Sequence, residues 1–148
     1  MSLSAGSRLG PHEILAPIGA GGMGEVYKAR DTRLDRIVAV KVSAEKFSDR
    51  FGREARAVAA LNQPNICTLP DVGPDYLVME FIDGQMLKGP LPADAALKHA
   101  IQICDALDAA HRKGVTHRDR KPPGSLVTKA ASSILRSAIQ HLVGSRLS

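Results

Sequence analysis

The sequence predicts an α+β fold: a lobe of five short antiparallel strands with one helix, followed by a more helical unit. Three observations predict it. Short β-rich segments alternate with turn residues through the first half; one capped amphipathic helix stands between the third and fourth of them; and after residue 83 the pattern changes to a long helix. With 44 % apolar residues a packed core is within reach, and with 3 % aromatic residues and no Trp that core must be aliphatic.

Residues 1–9 are small and polar and are expected to be poorly ordered. Pro11 to Ile18 read as a first extended segment, the glycine-dense "GAGGMGE" as a turn, and "VYKARD" as a second strand. Thr32 to Asp35 make another turn before "RIVAVKV", a β-branched third strand. Ser48 is a plausible N-cap, and Phe51, Ala55, Val58 and Ala59 fall on one face of a helix reaching Leu61. "NQPN" ends it, and "ICTLPDV" and "YLVMEFI" supply the fourth and fifth strands. Ala93 to Lys113 then form a long helix with apolar positions at Leu97, Ala100, Ile101, Cys104 and Leu107, stopped by Gly114. These segments divide the chain into a strand-rich lobe over 10–83, a helical part over 84–128 and a tail over 129–148.

Composition narrows the function classes. Twenty basic against fifteen acidic residues leave a charge of +5, which helps anionic ligands approach. No Lys/Arg block is interleaved with aromatics, so no nucleic-acid partner is expected. Cys67 and Cys104 lie far apart among apolar residues, which argues against a disulfide framework or a zinc site and fits buried thiols in a reducing compartment. "MSLSAGSRLG" has no apolar core of a signal peptide, and no apolar run approaches a membrane span. A soluble, cytoplasmic chain without a membrane partner is the expectation.

Three features carry chemistry. "GAGGMGEV" places Gly19, Gly21 and Gly24 where the backbone can approach phosphates and donate N–H groups to them. Alone this is weak, because many glycine turns are only hairpins. A strand rather than a helix follows, which excludes a dinucleotide-binding fingerprint, and Glu25 stands where a Walker loop needs Lys. The second feature is Lys41, ending the apolar strand "VAVK", where an ammonium needs a counter-charge. The third is Glu54, within the following helix, which by itself reads as a solvated carboxylate. Their order makes them specific.

With "IGAGGMGEVYKARD", "IVAVKV", "FGREARAVAALNQPNI", "YLVMEFIDG", "ICDALDAAHRKGVTHRD" and "KP" in sequence, the chain resembles bacterial serine/threonine protein kinases of the eukaryotic-like type, from residue 10 to about residue 128. The resemblance implies a kinase-like small lobe and an incomplete large lobe. It implies that Gly19, Gly21 and Gly24, beside Ile18, cover the phosphates of ATP, and that Lys41 contacts the α- and β-phosphates while pairing with Glu54. Val26 and Ala39 would roof the adenine and Leu126 floor it. Met79 would be the gatekeeper, and Glu80 to Ile82 the hinge that bonds the adenine edge. Asp119 would be the catalytic base and Lys121 would steady the γ-phosphate. His117 would be structural, and Arg118 would hold an activation loop. A protein substrate with Ser/Thr hydroxyls and Mg²⁺ belong to the same implication.

The pattern then breaks. The family's catalytic loop reads H-R-D-L-x-x-x-N, but here Arg120 replaces the Leu and Gly124 the Asn. Arg120–Ser148 contains no Asp or Glu, so neither protein ligand for Mg²⁺ is found there. No metal-binding residue is assigned, and the chain is expected to be a truncated kinase with little or no transfer activity of its own. The tail "KAASSILRSAIQHLVGSRLS" has a helical pattern, with Ser132 or Ser133 as cap. Both a frameshift product and an evolved cap remain open for it. Two other readings of the whole stand beside the kinase: a pseudokinase-like module that binds nucleotide or a partner without transfer, and a degenerate fragment without a stable fold.

Overall fold

The computed structural model describes residues 2–21, 24–43, 46–83, 85–86, 90–114, 126–127 and 132–133, with backbone alone at 19–21, 24, 50, 54, 85–86, 126–127 and 132–133. Two compact units result: residues 1–52 with 69–81, and residues 53–68 with 82–148. Residues 53–68, expected with the strand-rich lobe, group with the second unit.

The first unit is an antiparallel sheet of six strands, not five. In chain order they are β1 (Arg8–Leu9), β2 (His12–Gly21), β3 (Gly24–Asp31), β4 (Arg36–Val42), β5 (Asp71–Val72) and β6 (Tyr76–Glu80). Their order across the sheet is β1-β2-β3-β4-β6-β5. The extra strand comes from the segment expected to be poorly ordered: Gly6 N–H donates to Ile14 O (2.8 Å), Ile14 N–H to Ser7 O (2.8 Å), and Leu3 packs on the core. Of "ICTLPDV" only its last two residues pair, because Pro70 has no N–H to give a ladder. The β2–β3 register slips between Ile14 and Ala16 and again between Pro17 and Gly19. Such bulges are where a strand tolerates Pro, and they increase its twist.

The pleat sorts side chains onto two faces, since residues paired across antiparallel strands share a face and so do residues two apart. One face collects Ile14, Tyr27, Ala29, Val38, Val40, Tyr76 and Val78 into a contiguous core. At the edge of that core His12 Nδ1–H donates to Leu9 O (3.1 Å), and its ring stands edge-on to Tyr76. The first turn of α1 (Asp49–Ala59) also belongs to this unit, with Ser48 Oγ accepting from Phe51 N–H at 3.3 Å as the expected N-cap.

In the second unit, α2 (Ala93–Arg112) ends as expected at Gly114, whose φ of +74° is the left-handed stop. Its inward residues are Ala106 and Ala110, whereas Leu97 and Ile101 are 63 % and 53 % exposed and Cys104 is exposed too. The expected apolar stripe is thus not the buried one. The helix is apolar on more than one side, so periodicity alone does not select the face. Cys67 is buried, as expected. Gln85–Met86, Leu126–Val127 and Ser132–Ser133 (β7, β8, β9) pair antiparallel in the order β7-β8-β9. Ser132 and Ser133 are therefore strand rather than a helix cap; the helix expected after them lies outside the described residues.

Candidate functional site

The site is built on the face of the sheet opposite the Ile14–Val78 core. Val26 pairs with Lys41, which pairs with Leu77; Lys28 pairs with Ala39, which pairs with Met79. Gly19 faces Val26 across the β2–β3 pair, and Gly21 faces Gly24 where the hairpin narrows to its turn. Register thus brings Gly19, Val26, Ala39, Lys41 and Met79 together on one face, from four strands. Val26, Ala39, Leu77 and Met79 are all buried there, and Ala39 is the smallest of them.

Lys41 lies among them at 3 % exposure. An ammonium in such apolar surroundings is costly unless it is paired or hydrogen-bonded. Glu54 has its backbone in α1, but its side chain lies outside the described residues, so the expected ion pair is not described. Ile18 sits at the β2 irregularity, 41 % exposed. Glu80 pairs with Val38, which puts it on the opposite face, exposed at the end of β6. Ile82 follows the strand and is half-buried in the second unit. Leu126 is described as the backbone of β8 only. Asp119 and Lys121, with His117, Arg118 and Gly124, lie outside the described residues.

Two contributors were missed in the sequence. Leu77, fully buried beside Lys41, was legible from strand alternation two residues before Met79. Lys28 stands with its Nζ 4.9 Å from the centre of the Phe81 ring, a contact across the sheet that no local pattern signals. On the reverse face, Tyr27 OH donates to Glu25 and accepts from Leu3 N–H at 2.8 Å, and Ser2 Oγ donates to Glu25 at 2.9 Å. The two hydroxyls hold the Glu25 carboxyl below its ordinary range, Tyr27 contributing most, and the carboxylate in turn raises the Tyr27 phenol.

Among the described residues no group of three or more His, Cys, Asp or Glu is arranged to hold a metal ion. No helix among them is long and apolar enough to cross a membrane.

A family model described as the protein kinase domain matches residues 12–135. The chain is similar to a probable serine/threonine-protein kinase of Clostridium perfringens, 41 % identical over 134 residues that are 80 % of this chain and 20 % of the relative. It is similar to the serine/threonine-protein kinase PknD of Mycobacterium tuberculosis, 43 % identical over 139 residues, covering 83 % of this chain and 21 % of that one. It thus spans about a fifth of the length of the curated relatives it matches. Among solved structures it resembles the PknI kinase domain of Mycobacterium tuberculosis, with a TM-score of 0.83 and 27 % identity, over 94 % of this chain and 64 % of that domain.

Proposed function

The chain belongs to the protein kinase family, with relatives named serine/threonine kinases, and from that premise we propose that its sheet unit binds ATP on the Lys41 face. The observation that carries this reading is the register that lines up Gly19, Val26, Ala39, Lys41 and Met79. A flat heteroaromatic base would lie against Val26, Ala39 and Met79. The small Ala39 leaves it room, and the buried Lys41 cation suits the phosphates. The backbone N–H groups of Gly19, Gly21 and Gly24 would take the phosphates, with Ile18 at the margin. Glu54 would pair with Lys41; the backbone of Glu80 and Ile82 would hold the base edge, and Leu126 would lie beneath it.

ATP supplies the transferable phosphoryl group to a Ser/Thr hydroxyl of a protein substrate. Asp119 would take the proton of that hydroxyl and Lys121 would neutralise charge on the phosphate. Mg²⁺ does not fit this chain's residues: Gly124 offers no oxygen ligand, and Arg120–Ser148 has no carboxylate. A polypeptide of these 148 residues therefore acts as a nucleotide-binding unit rather than as a phosphotransferase. A cytoplasmic setting, with no nucleic-acid or membrane partner, suits this function.

Calorimetry with ATP tests the reading. The wild type binds with or without Mg²⁺, and Lys41→Ala weakens binding about ten- to a hundredfold, the loss of one charge-assisted contact. Binding that needs Mg²⁺, or that is indifferent to Lys41, would overturn it.

A further inference from the structure

Among the described residues, the β3–β4 register begins with Glu25 opposite Val42, and beyond it the glycine hairpin is paired through β2–β3. Glycine has a large ordering cost. Whatever fixes Glu25 fixes the base of the tip. Glu25 lies on the reverse face with Tyr27, while Val26 between them belongs to the Lys41 face. On that reverse face the N-terminal segment grips the strand. Ser2 Oγ donates to Glu25 (2.9 Å), Leu3 N–H donates to Tyr27 OH (2.8 Å), and Tyr27 OH donates to Glu25. Tyr27 is 1 % exposed, and its hydroxyl is the hub, shared by two of the three bonds. The segment is itself anchored: Leu3 packs on the core, and both backbone bonds to Ile14 hold Gly6 and Ser7.

We infer that residues 2–7 are a latch that holds the glycine hairpin from behind, and that Tyr27 and Glu25 are positioning residues for nucleotide binding. The inference rests on the reading that the Lys41 face binds ATP. The latch touches no nucleotide. It acts by restricting the tip before the ligand arrives, so that less ordering remains to oppose binding. It also links the order of the segment at residues 2–7 to affinity at the opposite face, through a single strand.

The test pairs two readouts on the full chain: amide hydrogen exchange over residues 19–26, and ATP affinity. Tyr27→Phe keeps the buried ring and removes the hub. Ser2→Ala removes an exposed hydroxyl with no burden on the fold. Glu25→Gln keeps one accepting oxygen and turns the other into an NH2 donor, although Ser2 and Tyr27 donate to different oxygens of the carboxylate. The latch requires faster exchange at 19–26 in Tyr27→Phe and Ser2→Ala, and an ATP affinity about three- to tenfold weaker in Tyr27→Phe, as for one lost hydrogen bond. Glu25→Gln, which loses one of the two accepting oxygens, should speed exchange at 19–26 as Ser2→Ala does. Unchanged exchange in Ser2→Ala and Tyr27→Phe overturns the latch; if Tyr27→Phe fails to fold, unchanged exchange in Ser2→Ala alone does so. If exchange rises as required but the wild type does not bind ATP, the latch stands and the nucleotide reading falls.

Discussion

Asp31, 1 % exposed, secures the end of the sheet remote from the glycine turn. Burial pushes its carboxyl up, but the Arg33 guanidinium and backbone N–H outweigh that and hold it below its ordinary value of 3.8. A carboxyl depressed in the folded state contributes stability that is present above its ordinary value and lost as the pH falls through the folded one. Asp31→Asn should therefore cost about 1–3 kcal/mol near neutrality, and the deficit should shrink in acid below the ordinary carboxylate range. Thermal melts of both proteins across pH check this. Nearby, an added Cβ at Gly73 would stand 2.2 Å from the Tyr76 ring, which is packed in the core and cannot swing away. Gly73→Ala should cost about 1–3 kcal/mol by overpacking, read as a lower denaturation midpoint. Neither effect is legible in the sequence, because each depends on how a local turn folds one residue back onto a near neighbour.

Elements were legible where local chemistry decides them. β4 spans Arg36–Val42 as its Val/Ile run predicts, and α1 begins where Ser48 caps it. Replacing Ser48 with Ala should lower stability by about 1 kcal/mol, and circular dichroism melts would show it. Gly114 is fixed by its φ of +74°, a conformation that side chains resist, so the end of α2 was readable from one residue. Two-residue strands were not readable. β1 is two residues long and exists because Arg8 and Leu9 meet Glu13 and His12. β9 takes two serines that alone suit a helix cap as well as a strand. The buried face of α2 was misread for a related reason: alanines at Ala106 and Ala110 carry little hydrophobic signal beside Leu97 and Ile101, yet it is they that face inward.

For the molecule as a whole, the candidate site was readable because its parts recur as short motifs in four strands, and strand alternation then determines which of them share a face. The latch was not readable, since Ser2 and Leu3 meet Glu25 and Tyr27 across more than twenty residues of chain. The chemistry at Asp119 rests on the family membership. Removing one electrostatic stabiliser of a transition state commonly costs about a hundredfold in rate or more, and here both carboxylate and amide ligands for Mg²⁺ are missing from Arg120–Ser148. Purified protein of these 148 residues should show no autophosphorylation with labelled ATP in Mg²⁺ or Mn²⁺. Incorporation abolished by Asp119→Asn would contradict that. The central claim is that one face of the sheet binds nucleotide while the other is structural core, and methyl-resolved NMR titration with ATP tests it most directly. The account predicts shifts centred on the methyls of Val26, Ala39, Leu77 and Met79, with Ile14, Val38, Val40 and Val78 unmoved. Shifts centred on Ile14, Val38, Val40 and Val78, or no shifts at saturating ATP, would contradict it.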